Sequence, residues 1–513
     1  MLRKMSHRLL CLFLALLTLA ALPACKSKKP SDTDTSTDPV TDGSKAPETN
    51  EAGEIIIDNP VFDGLDYEGE TIHITRPETD LFRREFALSI NERQDEVDNR
   101  VFLRDVAVQK KLNVDFRYHQ SNVLLQIGSG TDFIAMVNNA AQAGGGELDI
   151  FTPSSGYIGY AAVRNVILNL HDTQYFDSEH ACWNQNHVSV ATVQGQLYAA
   201  TGDLTISLFD KTLVTLTNIS KLEAMGVDDI YDTVLNGNWT LDRMEELIRD
   251  YHYEDLDANG VKSLGDSFAL TGMLTSELIY AWPIASGITV MKTREDGFHY
   301  VDTNVLEPLD TLRVRIDTLI NSENCLAYNN GEDVHGPYNQ FTEGNALFTV
   351  DSIIRNRATS ARLRNMTDRF AILPIPKGST EQTTYATTPE LHFSVVAMIK
   401  TTTERQNMVS AAVQLLGEES YKSVRPYYIE TVLKNRYTAS SAKAVRILSN
   451  ILDSVRFEFS ILYADSVGNA FHSLWVWRLQ WRDISTIAGW ETDKKIIEDK
   501  TAVLDDWFAS HMK

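Results

Sequence analysis

From residue 68 onward the chain switches repeatedly between two hydrophobic periods. Ile72 and Ile74 sit two apart within Glu70–Arg76, which predicts a strand. Over 91–111 the period lengthens: Val97, Val101, Val108 and Leu112 share one face of a long, mostly polar helix. Val114, Phe116 and Tyr118 alternate again, a second strand. Thr131 and Asp132 can start a helix with Phe133, Met136, Val137 and Ala140 on one face, ended by Gly144-Gly145-Gly146. Leu148–Phe151 is a short third strand, followed by the polar loop Thr152–Gly156. This β-α-β-α-β order predicts a mainly parallel sheet with helices on both faces.

A second run begins near Ser207. It predicts a helix over 240–250, an apolar stretch over 276–285 and a long helix over 308–321. Residues 341–350 read as a helix end, a turn and a strand, and 370–376 and 391–399 as further strands. Beyond Thr403 the pattern is helical to the end, and no repeat of 20 to 50 residues is visible.

The N-terminal segment differs from all of this. Arg3, Lys4 and Arg8 precede an apolar run, Leu9–Leu22, that ends in Leu22-Pro23-Ala24-Cys25, the form of an export signal. A Cys directly after a small residue resembles a bacterial lipoprotein signal, which implies removal of residues 1–24 and diacylation of Cys25. Acyl chains hold a protein to a membrane because each buried methylene contributes about 0.8 kcal/mol. Residues 25–58 are then an anchor and a tether, rich in Ser, Thr, Asp and Lys and too poor in apolar residues to fold. No later segment reaches the ~18 uninterrupted apolar residues of a membrane span.

The remaining chain, about 455 residues, exceeds the size at which a single core stops growing, so two lobes are expected. Lys and Arg number 47 against 70 Asp and Glu, a net charge of −23. That balance argues against nucleic acid as a partner, because phosphate backbones need clustered cations. Cys182 and Cys325 are the two Cys of the folded part; spacing alone does not establish whether they pair. The chain carries no Gly-x-Ser-x-Gly elbow, His-Glu-x-x-His pair, P-loop or dinucleotide fingerprint.

The order of segments resembles the extracellular solute-binding proteins of sugar importers, the maltodextrin-binding-protein-like family. Five elements carry it: Asp149-Ile150-Phe151 with Val166–Leu170 after it; Gly195–Ala200; Asn238-Trp239-Thr240; the Phe-x-x-Gly-x-Ala segment 341–346; and Phe370–Gly378, with its Pro-x-Pro-Lys-Gly turn. The resemblance implies an α/β fold of two lobes, each a mainly parallel sheet flanked by helices, around an interlobe cleft. It places crossings near 201–205, 388–392 and 440. Lobe 1 is then 59–203 with 390–440, and lobe 2 is 204–389 with 441–513. It also implies a monomeric, non-enzymatic receptor on the extracytoplasmic face of the cell membrane. Such a receptor captures a small polar solute, an oligosaccharide above all, and hands it to the permease and ATPase of an ABC importer.

Sugar hydroxyls need polar partners, and sugar ring faces stack on aromatics. Loops at the carboxyl ends of strands supply both. The candidates in the first lobe are Arg76, Glu78, Asp80, Thr152, Ser154, Ser155, Tyr157 and, at the crossing, Asp203. In the second lobe they are Glu277, Tyr280, Trp282, Asp351 and Ser352; Glu390 and His392 lie at the return crossing, and Trp475 or Trp477 in the C-terminal region. Trp282 and one of Trp475 and Trp477 are the expected stacking platforms. Trp477 and Trp481 share a helical face from which Trp475 diverges.

One further motif has its own chemistry. Asp255, Asp257, Asn259, Val261, Ser263 and Asp266 occupy positions 1, 3, 5, 7, 9 and 12 of a calcium-loop pattern, with Gly260 at position 6. A structural Ca2+ is the cofactor this implies; the other reading is an Asx-rich turn. Two rival functions also remain at this level. A lipid-anchored glycoside hydrolase or polysaccharide lyase would need a carboxylate pair in a groove. A glycan-attachment protein would bind polymers without closing.

Overall fold

The computed structural model describes residues 59–511 except 78–82, 87–92, 94, 122, 124–129, 145–146, 274–276, 329–335, 354–362, 364, 391–392, 434–441 and 482–483. The expected signal, Cys25 and the tether lie outside the described residues, as do Glu78, Asp80, His392 and the side chain of Glu277.

The strands in chain order are β1 Glu70–Arg76, β2 Val114–Gln120, β3 Ile150–Phe151, β4 Leu213–Asn218, β5 Phe268–Met273, β6 Met291–Thr293, β7 His299–Val301, β8 Cys325–Tyr328, β9 Ala346–Ser352, β10 Phe370–Leu373 and β11 Ala397–Met398. They form two main sheets, ordered β11-β3-β1-β2 and β10-β4-β9-β5-β8, and a small β6-β7 hairpin.

The first sheet follows its sequence closely. Ile72 and Ile74 are fully buried against the helix Glu96–Leu112, whose Val97, Val101, Val108 and Leu112 form the inner face. Asp95 caps that helix by accepting the Asp98 N–H at 3.0 Å, and Asn113 ends it in the left-handed region at φ 51°. β1 runs parallel to β2 and to β3, while β11 joins antiparallel at the edge.

The second sheet departs from the expected mainly parallel pairing. β5, β8 and β9 are parallel, but β4 is antiparallel to both β9 and β10. The cause is where the chain enters. β4 starts at the crossing with Leu213 and runs away from it, whereas β9 ends beside it, with Ser352 opposite Leu213. The two family-like segments 238–240 and 370–378 meet in this lobe: Thr240 bridges Lys377, the Leu241 N–H donates to the Lys377 carbonyl at 2.7 Å, and the Trp239 indole donates to the Pro374 carbonyl at 2.9 Å.

Two chain passages lie side by side between the sheets. Residues 200–212 and 389–396 are joined by bridges at Ala200–Val396 and Thr212–Pro389 and by the Glu390 N–H to the Lys211 carbonyl at 2.9 Å. A third change of lobe falls between 433 and 442, because helix Arg425–Leu433 packs on 96–112 and helix Ala442–Asp453 packs on β10. The pattern over 391–399 predicts one strand, yet among its described residues only Ala397–Met398 forms a ladder. Ser394, Val396 and Ile399 each bridge a different segment, at Ser154, Ala200 and Ile167, so no single neighbour runs alongside. For the same reason Ile167, Gln196 and Ala200 make isolated bridges outside any ladder.

The C-terminal residues, expected wholly in lobe 2, pack on both lobes. Helix Thr486–Ser510 lies along 306–320 in the second lobe. At its far end the Phe508 carbonyl accepts from Gln196 of the first, and Trp507 packs on Tyr198 with ring centroids 6.0 Å apart. Among the described residues, no helix is long and apolar enough to cross a membrane.

Candidate functional site

The carboxyl ends of β3 and β9 point toward the paired passages, the position open α/β sheets use for ligands. A continuous polar cluster occupies it. At the end of β3, Ser154 bridges Ser394, the Ser155 N–H donates to the Phe393 carbonyl at 3.0 Å and the Val395 N–H to the Pro153 carbonyl at 3.1 Å. The Ser394 N–H donates to Ser207 Oγ at 2.8 Å, and the Ser207 N–H to Glu85 Oε1 at 3.0 Å. Three residues on, Asp210 Oδ1 accepts from the Tyr428 hydroxyl at 2.9 Å. Lys211 pairs with Glu390. Asp351, on β9 opposite Val214, accepts the Ser352 N–H at 2.7 Å.

Some of this cluster's buried polar atoms make no hydrogen bond among the described residues. The Thr152 and Ser154 hydroxyls are buried without a hydrogen-bond partner among the described residues, and the buried Ser394 hydroxyl and Glu85 carboxyl have only each other to turn to beyond the Ser207 bonds. Buried polar atoms are nearly always satisfied, because leaving one unpaired costs about 1–3 kcal/mol. Several together mark a place suited to a hydroxyl-bearing guest. Burial raises the Glu85 carboxyl to about 7, assisted by the nearby Asp210 charge and opposed by the Ser207 bonds.

Of the predicted residues, the structure gathers Thr152, Ser155, Asp351 and Glu390 around these passages. Arg76 ends β1 with its guanidinium 5.6 Å above the Tyr118 ring and Nη1 donating to the Phe86 carbonyl at 3.4 Å. Tyr157 is buried against Phe133, with ring centroids 4.9 Å apart. Asp203 sits at the crossing but turns to Arg425, 3.4 Å away; burial raises its carboxyl to about 7 against that attraction.

The aromatic candidates are placed differently. Tyr280 is buried and its hydroxyl meets His472 Nε2. Trp282 is 1% exposed, and Trp475 is 0% exposed with its indole N–H donating to the Ile279 carbonyl at 2.9 Å. Neither has a ring face open in this conformation, so the expected stacking on Trp282 or Trp475 does not match their positions. The Trp475 ring joins the C-terminal region to the helix 277–285 through its bond to the Ile279 carbonyl. Trp477 is half-buried and stacks on exposed Trp481, with centroids 5.4 Å apart and planes 13° apart.

Sequence reasoning missed the residues that organise the cluster. Arg104 pairs with Asp105 at 2.6 Å, both side chains being fully buried, and donates to the Glu85 carbonyl at 2.7 Å and to Ser420 Oγ at 3.0 Å. Adjacent charges on a polar helix read as a solvated face, and their partners lie far away in sequence. Only their position on the Val101/Val108 side could have hinted at burial. Ser207, Asp210 and Ser394 carried no local signal.

The calcium-pattern loop brings its acids together. Asp255, Asp257 and Asp266 carboxylates lie within 4.8 Å of one another. Asp266 is buried and accepts from the Leu256 N–H at 3.1 Å and the Ser263 N–H at 2.8 Å. The Gly260 N–H donates to Asp255 at 2.7 Å and holds its carboxyl below the usual range. Asn259 bonds Asp257 at 2.6 Å, and Ser263 Oγ accepts the Gly265 N–H at 3.1 Å. Val261 is exposed at position 7. The donor set is all oxygen, which fits a hard cation. Strand β5 follows the loop, and the Glu254–Ser267 bridge closes it.

No family model matches the chain, and no curated protein matches it by sequence. Solved structures do. The chain is similar to the sugar-binding protein MalE from the phytopathogen Xanthomonas citri, with a TM-score of 0.55, 12% identity, and 86% of this chain and 100% of that one covered. It is similar to a cyclo/maltodextrin-binding protein complexed with maltotetraose, with a TM-score of 0.53, 12% identity, and 84% and 97% covered. It is also similar to the ABC transporter associated binding protein from B. animalis subsp. lactis Bl-04 in complex with β-1,6-galactobiose, with a TM-score of 0.50, 13% identity, and 85% and 98% covered. The architecture is therefore the two-lobe α/β fold of periplasmic-type binding proteins, as the resemblance implied.

Proposed function

We propose that this chain is the extracytoplasmic receptor of an ABC importer and captures an oligosaccharide between its lobes. The observation that carries this reading is the cluster of buried hydroxyls, Thr152 and Ser154 without a partner among the described residues, where the strand ends of the first sheet meet the paired passages. Sugar hydroxyls are donors and acceptors at once and complement such a cluster. Two structures with this fold hold maltotetraose and β-1,6-galactobiose, which supports the ligand class. Binding without catalysis is in keeping with a chain that has no nucleophile elbow, zinc-protease pair or P-loop motif. In this reading Thr152, Ser155 and Asp351, buried in this conformation, and Glu390 meet the sugar when the lobes part, and reclosure presents it to the permease.

The deciding experiment is calorimetric titration with a panel of α-glucan and β-galactan oligosaccharides, paired with small-angle scattering. Tight binding of one series with a fall in the radius of gyration is expected. A folded chain that binds none of them, or that shortens them, removes the receptor reading.

Diacylated Cys25 would anchor this body to the outer face of the membrane on a flexible tether. Incorporation of labelled palmitate by the wild-type chain and not by Cys25→Ser tests the anchor. The loop 255–266 would hold a structural Ca2+ through Asp255, Asp257, Asn259, the Val261 carbonyl, Ser263 and Asp266. The ion would tie the end of helix 241–250 to the start of β5.

A further inference from the structure

A cavity of about 360 Å³ opens in the second lobe, away from the strand-end cluster. Its walls are the end of helix 230–235, Pro374, the loop 383–385, and helix 442–453 running into the passage that carries Arg456. Its polar lining includes Thr383, Thr384, Asn450, Arg446 and Arg456.

The arginines here make no ion pair among the described residues, although the Asp453 carboxylate acts on Arg456 from a distance. The Arg456 side chain is half-buried, and its guanidinium donates through Nη1 to the carbonyls of Asp453 at 3.0 Å and Val455 at 3.1 Å. It forms no salt bridge or hydrogen bond with a carboxylate among the described residues. Arg446 is exposed and makes no ion pair or hydrogen bond among them. The acid that lines the cavity, Asp453, is engaged by Arg425. A third cation stands behind the wall. Lys377 is 2% exposed, its ammonium donates to the Gln382 carbonyl at 2.6 Å, and it lies 5.2 Å from the ring centroid of Tyr385, a lining residue. Burial lowers the Lys377 ammonium from its usual value, and no carboxylate offsets that.

In a chain of net charge −23, three cations that form no ion pair among the described residues, facing one carboxylate already paired with Arg425, leave a net positive potential around this cavity. Guanidinium forks backed by hydroxyl and amide donors suit the tetrahedral oxygens of a phosphate group. We propose that this cavity binds a phosphate-type oxyanion, either free or as the ester of a small sugar, for which its volume suffices. The site also touches the hinge region. The Arg456 N–H donates to the Thr387 carbonyl at 2.8 Å, and the Thr387 N–H to Ser454 at 3.2 Å, immediately before the return passage. An occupant would stiffen that junction.

Calorimetry at low ionic strength, with inorganic phosphate and with glucose 6-phosphate against matched potassium chloride, tests this. Saturable binding of at least one phosphate species and none of chloride is expected. Arg446→Gln and Arg456→Gln should each weaken it by about tenfold, the scale of a charged hydrogen bond. Tighter binding of the ester assigns the site to a phosphorylated sugar, and equal binding assigns it to the free anion. Because Arg456 also caps a helix end, Arg446→Gln, which removes no structural contact, is decisive. Absence of phosphate binding by the wild type, or full retention by folded Arg446→Gln, overturns the proposal. Neither outcome bears on oligosaccharide capture at the strand ends.

Discussion

The Ser207 N–H, on the first passage between the lobes, donates to Glu85 Oε1 at 3.0 Å, so the junction of the lobes rests on a buried carboxyl. Burial raises that carboxyl from an ordinary value of 4.5 to about 7. A folded-state value above the unfolded one means the contribution to stability is fully present below about pH 4.5. It is lost as pH rises through about 7. The full difference corresponds to roughly 3 kcal/mol. Glu85→Gln keeps an acceptor for Ser207 and removes the ionisation. The variant should match the wild type near pH 4 and exceed it by up to about 3 kcal/mol near pH 8 in urea unfolding. Since Asp203 shifts in the same direction, the difference between the two proteins, and not the wild-type curve alone, isolates Glu85. Equal stabilities at pH 8 contradict the assignment.

Gly202 lies against the Cys182–Trp183 backbone at the same passage. A Cβ there would stand 2.1 Å from the Cys182 carbonyl oxygen and 2.9 Å from Trp183 Cα. Backbone atoms on both sides cannot yield independently, because the Asp203 N–H already bonds that carbonyl at 2.9 Å. Gly202→Ala should therefore destabilise by about 3 kcal/mol or more, beyond the usual range for an exposed glycine. Gly156→Ala, which meets no atom within 4 Å, is the control. Similar unfolding midpoints for the two variants rule this packing out.

The sequence made the period changes legible, and with them β1, β2, the helix between them and the alternation that defines the fold. It could not show that β4 runs against β9, because direction depends on where the chain crosses between lobes. Thr152 and Ser155 were accessible to reasoning as a polar loop after an apolar strand. Glu85, Arg104 and Ser394 were not: each takes its role from partners about twenty to more than three hundred positions away. The tryptophans misled for a related reason. Trp282 and Trp475 are apolar enough for either a core or a sugar platform, and only the second layer of helices decides between them.

Trp475 and Trp477 should therefore separate cleanly. Trp475 is fully buried with its N–H satisfied, so Trp475→Ala should cost about 3–5 kcal/mol of stability. Trp477 is half-buried and stacked on a ring that is itself 62% exposed. Trp477→Ala should stay within about 1 kcal/mol of the wild type. If Trp477 is the carbohydrate platform, the same variant binds oligosaccharide several-fold more weakly. Unchanged affinity in folded Trp477→Ala takes it out of the binding surface.

The loop 255–266 allows its two readings to be distinguished by the ion itself. Asp255, Asp257 and Asp266 repel one another within 4.8 Å, and the amides of Gly260, Leu256 and Ser263 offset part of that repulsion. A divalent cation bound only by the folded chain stabilises it by mass action, about 2.7 kcal/mol at a hundredfold excess over Kd. Calcium should thus raise the melting temperature of chelator-treated protein, and magnesium should do so less, because its small octahedral shell fits a flexible loop poorly. Asp257→Asn is the informative variant. Asp257 is exposed and receives the Asn259 side-chain amide, so the substitution relieves repulsion and removes a ligand at once. In an Asx-rich turn that change is neutral or stabilising, with no response to calcium in either protein. In a metal loop it leaves the calcium-free melting temperature unchanged or higher and abolishes most of the calcium-dependent rise.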